Sequence, residues 1–94
     1  MGRYSREKPS RLAEKLTQIR NALGLSQSEI VSRMGLPERL NRDDISKYER
    51  GVREPSLLVL LRYARAAGIC LDALVDDELD LPARLPSKPK HTRR

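Results

Sequence analysis

The stretch LSQSEIVSRMGLPERLNRDDISKYERG, Leu25 to Gly51, decides the fold, because it reads as two short helices joined by a turn. Ser26 followed by Glu29 is the S-x-x-E capping box: the hydroxyl accepts from an orphan amide at the helix start and the carboxylate reaches back. Ile30, Val31 and Met34 supply one apolar face, and Gly35 ends the helix in a left-handed conformation. A second start follows at Asn41, a good N-cap residue, with Asp43 and Asp44 in the first turn where the helix dipole favours negative charge. Ile45 and Tyr48 form the inward face and Gly51 closes the helix, so Arg42, Asp43, Ser46 and Lys47 point outward. An outward polar face on the second helix of such a pair is where a DNA-reading protein places its base contacts.

Working outward, Pro9 and Ser10 begin an N-terminal helix in which Leu12, Leu16, Ile19 and Leu23 form one apolar stripe, and Gly24 stops it. Pro55 and Ser56 start a fourth helix, with Leu57, Leu60, Leu61 and Ala64 on one stripe, Val59 and Tyr63 widening it, and Gly68 at its end. Leu71, Leu74 and Val75 give a short fifth helix. Strand-type alternation is absent and every glycine except Gly2 falls at an expected helix end, so the fold class is all-α, a compact five-helix bundle with short connections and no internal repeat. Three parts follow: a basic N-terminal arm over residues 1–9, the domain over 10–78, and a Pro-rich basic tail over 79–94, extended and disordered at its end.

The 94 residues suit one small domain, folding alone or as a dimer. One cysteine permits no internal disulfide, and the single histidine, His91, leaves no zinc set, so no metal and no cofactor are expected. No apolar run reaches the length of a membrane span, and the N-terminus lacks the hydrophobic centre of a signal peptide, which points to the cytoplasm and away from membranes. Catalysis is not expected either: there is no paired nucleophile and base and no glycine-rich phosphate loop. The net charge of +6 is unevenly spread, with basic arms at both ends, a moderately basic helical middle and an acidic run at Asp72, Asp76, Asp77, Glu78 and Asp80.

Residues 12 to 75 resemble the repressor/Cro type of helix-turn-helix domain, the xenobiotic-response-element family of bacterial and phage regulators. The resemblance rests on Leu16 and Arg20 in the first helix, Leu25-Ser26-Gln27 opening the second, and Ile45 to Gly51 closing the third. Pro55-Ser56-Leu57, Leu60, Ala64, Gly68-Ile69 and Leu74 complete it. It implies a nucleoid-associated cytoplasmic regulator that binds double-stranded DNA as a homodimer on two half-sites. It also implies a buried structural pair between Arg20 and Glu49, a phosphate contact from Gln27, and base-reading positions at Arg42, Asp43 and Lys47. Ser46, Arg50 and Arg53 are the further phosphate candidates.

This chain departs from the family pattern in ways that carry their own expectations. Pro37-Glu38-Arg39-Leu40 reads as an insertion before Asn41; Leu36 and Leu40 should pack inward and hold Pro37 to Arg39 as an ordered surface excursion. Val31 stands where alanine is usual, Ala67 where leucine is usual, and Leu58 where a polar residue is usual; with Leu61, Leu58 forms a small exposed apolar patch, a candidate dimer contact. Cys70 takes the place of a serine or threonine cap and is expected to be partly buried and inert, with Asp72 supporting the helix start. The leading function is a sequence-specific transcriptional regulator, most simply a repressor. The rival is an antitoxin-like or adaptor module that keeps the fold, binds a protein partner and holds nucleic acid only loosely, which the long turn and the acidic pair favour.

Overall fold

The computed structural model describes residues 9–36 and 38–87. Five helices follow in order: α1 Leu12–Leu23, α2 Gln27–Met34, α3 Arg42–Glu49, α4 Leu57–Ala67 and α5 Leu71–Val75, with no strand among the described residues. Leu16, Ile19, Leu23, Ile30, Ile45, Tyr63 and Leu74 are wholly buried and form the centre of one hydrophobic core. Helix α1 packs on α3, α4 and α5, and α2 packs on α3 and α4, so the helical pair of the opening stretch is backed by the other three.

Local chemistry sets the boundaries. Ser26 and Glu29 form the full capping box on α2, and Ser56 accepts from the Val59 amide at the start of α4. Gly24, Gly35, Gly51 and Gly68 all have positive φ, as helix-ending residues of left-handed conformation must.

The start of α1 differs from the expectation at Pro9 and Ser10. The helix begins at Leu12, and its N-cap, Arg11, makes no side-chain cap. The cap comes from the far end of the domain: Asp77 accepts from the Ser10 amide at 2.8 Å, the Ser10 hydroxyl at 3.0 Å and the Arg11 amide at 3.0 Å. Arg11 returns the contact through its guanidinium, to the carbonyls of Asp77 and Leu79 and the Asp80 carboxylate. Part of the acidic run thus closes the domain by holding the start of its first helix.

Helix α4 is rotated from the expected stripe. Its inner face is Val59, Leu60, Tyr63, Ala64 and Ala67, whereas Leu57 is 71% and Leu58 44% exposed, and Leu61 is half-buried. Side chains lean toward a helix's N-terminus, so Leu57 in the first position projects past the end of the core. Of the expected insertion, Pro37 lies outside the described residues; Leu36 and Leu40 are buried as expected, Glu38 and Arg39 are exposed, and the Arg39 and Leu40 amides both donate to the Leu36 carbonyl at 3.0 Å.

Of the stretch expected to be an extended tail, residues 79–87 lie against the bundle without forming a helix. Leu81 and Leu85 pack on the core, and the Ser87 amide donates to the Ala67 carbonyl at 3.3 Å. The basic residues expected to act in the arms, at 1–8 and 88–94, lie outside the described residues. Among the described residues, no helix is long and apolar enough to cross a membrane.

Candidate nucleic-acid interface

Helix α3 is fixed at both ends and free along its outer face. At the N-terminus, Asn41 Oδ1 accepts from the Asp44 amide at 3.1 Å and Asp44 Oδ2 accepts from the Asn41 amide at 3.0 Å. Asp44 is therefore turned back onto its own helix, and the acidic pair of the sequence resolves into one capping carboxylate and one outward one. Arg42, Asp43 and Lys47 are exposed and make no side-chain hydrogen bond among the described residues. Ile45 and Tyr48 anchor the opposite face.

The C-terminal end is held by the pair between Arg20 and Glu49. Arg20 Nε and Nη2 meet the two carboxylate oxygens at 2.7 and 2.9 Å, and the Glu49 side chain is only 7% exposed. The hydrogen bond to Glu49 holds the Arg20 guanidinium above its ordinary pKa. Tyr63 is buried beside this pair and its phenol is pushed up, chiefly by desolvation; its hydroxyl has no partner among the described residues. Because the lever arm from Glu49 to Asp43 is under two helical turns, restraint at the back of α3 sets the direction of its front.

The four phosphate candidates each keep at least one internal contact and retain donors. Gln27 Nε2 donates to Glu49 at 3.3 Å, Arg50 Nε donates to the Ser46 hydroxyl at 3.2 Å, and Arg53 Nη1 donates to Asp44 at 3.0 Å while its guanidinium lies 5.8 Å over the Tyr48 ring. An arginine has five N–H donors and a serine hydroxyl that accepts still has its proton, so none of these contacts excludes a phosphate.

Three positioning residues were not singled out in the sequence. Lys15 is wholly buried, its ammonium donating to the Ala73 and Asp76 carbonyls at 2.8 and 2.9 Å at the C-terminus of α5, where the dipole favours a cation. Its place in the apolar register of α1, three residues after Leu12 and four before Ile19, was the available signal. Arg62 Nη1 donates to the Met34 carbonyl at 2.8 Å and ties α4 to the end of α2. Asp77 caps α1, and those backbone hydrogen bonds from Ser10 and Arg11 hold its carboxyl below the usual range. Cys70 departs from the expected partial burial: it is exposed, and as N-cap of α5 its side chain makes no cap, a thiol being a weak acceptor.

The helix-turn-helix family pattern matches residues 16–74. The chain belongs to that family. Its repressor/Cro-type members are DNA-binding transcriptional regulators, and the helix-turn-helix of this chain is α2, the turn that follows it and α3. Among solved structures, the P22 c2 repressor protein in complex with synthetic operator 9T in the presence of Tl+ shares the fold, with a TM-score of 0.61 and 24% identity over 70% of this chain and 94% of that one. No curated protein matches the helix-turn-helix chain in sequence.

Proposed function

We propose that this protein is a sequence-specific transcriptional regulator, most simply a repressor, that occupies a two-half-site operator as a homodimer. The observation that carries the reading is the outer face of α3, where Arg42, Asp43 and Lys47 stand exposed on a helix held from behind by Arg20 and Glu49. With the N-terminal turn of α3 in the major groove, those three side chains reach base edges while Gln27, Ser46, Arg50 and Arg53 reach the phosphates on either side. A dimer sets two such helices about 34 Å apart, one turn of duplex. Leu57 and Leu58, exposed at the start of α4, are the apolar surface we assign to the partner copy.

Arginine matches the two acceptors of guanine, aspartate accepts from the cytosine amine and lysine prefers guanine, so the half-site is rich in G and C. Selection from random duplexes tests the reading: a two-fold G/C-rich consensus is expected. Enrichment of A/T-only sites would reject the assigned face. The exposed Leu57 and Leu58 also favour a second reading, an antitoxin-like or adaptor module that binds another protein and holds DNA without preference; saturation of genomic and random fragments with equal affinity would select it.

A further inference from the structure

The arginines of this domain divide into those already engaged and those held in reserve. Arg11, Arg20, Arg50, Arg53 and Arg62 each donate a guanidinium hydrogen bond within the fold. Arg39, like Arg33, Arg42, Arg65 and Arg84, is exposed, and among the described residues its side chain makes none. Its backbone is nevertheless well fixed, since the Arg39 and Leu40 amides share the Leu36 carbonyl and the two leucines are buried. A charge on a held turn is delivered to one place.

That place is beside the first turn of α3. Arg39 stands two residues ahead of Asn41, the N-cap of the helix. A helix that enters a groove about 12 Å wide by its N-terminus has a sugar-phosphate wall on each side, and the residues leading into its first turn must pass one of them. Arg39 and Arg53 line one groove of about 340 Å³, together with Leu40, Tyr48, Leu58 and the acidic Glu54. Arg53 is drawn to the first turn by Asp44, so of the two arginines in the groove one is committed to a carboxylate and the other is free to take an anion.

We propose that Arg39 is a phosphate contact supplied by the lengthened turn, gripping the DNA strand beside the first turn of α3. The proposal rests on the reading of α3 as the groove helix. A guanidinium takes phosphate oxygens through paired, charge-assisted hydrogen bonds and reads no base, so Arg39 sets affinity and salt dependence and leaves the consensus alone. Glu38, its exposed neighbour, opposes the same phosphates.

The test is affinity for the selected duplex over a range of salt concentrations, measured for the full chain and for Arg39→Ala, Arg39→Lys, Glu38→Gln and Arg65→Ala. Arg65 lies in the last turn of α4, at the opposite end of that helix from Ser56, and serves as the control for diffuse charge. Arg39→Ala should make the slope of log affinity against log salt shallower by about 0.9, the value for one released counterion. Arg39→Lys and Arg65→Ala should keep the parent slope, Glu38→Gln should bind more tightly, and every variant should select the parent consensus. An unchanged slope in Arg39→Ala, or an equal loss in Arg65→Ala, overturns the proposal while the function reading stands. A parent chain that binds no duplex overturns both.

Discussion

Arg20 and Glu49 meet side-on, through two hydrogen bonds of 2.7 and 2.9 Å, and join the first helix to the last residue of α3. Arg20 also donates to the Leu25 carbonyl at 3.0 Å, so the same guanidinium holds the link into α2. Removing it leaves the Glu49 carboxylate buried with, among the described residues, only the Gln27 amide at 3.3 Å. Arg20→Ala should therefore cost about 3 kcal/mol in urea unfolding, the lower end for a broken buried pair because Arg20 keeps some exposure. Replacing both residues by apolar ones of similar volume should recover much of it. A loss under about 1 kcal/mol for Arg20→Ala would rank the pair with surface pairs instead.

Lys15 offers a separate test of how the ends of the domain are tied. Lys15→Met keeps an unbranched side chain in the core but takes the ammonium from the Ala73 carbonyl and leaves the Asp76 carbonyl with the Leu79 amide at 3.0 Å. Since a hydrogen bond involving a charged group contributes about 1.5 to 3 kcal/mol, a loss of about 2 kcal/mol is expected. The damage should concentrate in α5 and residues 76–80, whose amides should exchange faster than those of α2 and α3. Uniform acceleration through the whole domain would show the contact to be no more local than any other core residue.

Asp77 sets a pH dependence whose sign follows from its hydrogen bonds. Its folded pKa lies below the ordinary one, because the ionised form accepts from the Ser10 and Arg11 amides. The stabilisation is complete above the unfolded value, about 3.9, and is lost as pH falls through the folded value. Asp77→Asn should lower Tm at neutral pH, and the gap from the parent should close in acid below about pH 4. A gap that stays constant across that range would mean that shape, not charge, makes the cap.

These contacts mark where the sequence stops being legible. The periodicity of Leu12, Leu16, Ile19 and Leu23, and the caps at Ser26 and Asn41, are local signals, and the structure follows them. The start of α1 is not legible locally because its cap arrives from Asp77, 67 residues away from Ser10. Periodicity places Leu57 on the buried stripe because it reports a helix's phase but not where its neighbours end. What separates Asp44 from Asp43 is the N3 position of a capping box, from which its carboxylate reaches back to the Asn41 amide. The outward face of α3 is legible, and the Arg50–Ser46 contact has the four-residue spacing of one helix; the Gln27–Glu49 contact is not legible, since it depends on how α2 meets α3, nor is the Arg53–Asp44 pair, which depends on how the chain folds back after α3.

The lengthened turn before α3 should contribute to stability as well as reach. Leu40 is 7% exposed, and Leu40→Ala should cost about 2 to 3 kcal/mol, toward the lower part of the range for buried leucine because a surface turn relaxes into the space. Deleting Pro37 to Leu40 should lower Tm for the same reason. A deletion variant with equal or higher Tm and unchanged DNA affinity would show the insertion to be inert.

The reading face itself predicts two different kinds of loss. Arg42 and Asp43 occupy the first turn of α3 and Lys47 follows one turn after Asp43, so the three share a face, and Asp44 is withdrawn from it by its bonds to Asn41 and Arg53. Each base contact discriminates by about 1 to 3 kcal/mol, so Arg42→Ala should weaken the selected site and relax the consensus at one position in each half-site. Gln27, at the start of α2 and held against Glu49, points to the backbone of the duplex in the proposed docking. Gln27→Ala should therefore weaken all sequences alike and leave the consensus intact. Asp43→Ala separates charge from reading: if the carboxylate accepts from cytosine, affinity for the selected site falls while binding to random duplex rises with the removal of a negative charge near phosphates. Repeating the selection with each variant decides the matter. An Arg42→Ala protein that returns the parent consensus would move the reading role off this face of α3.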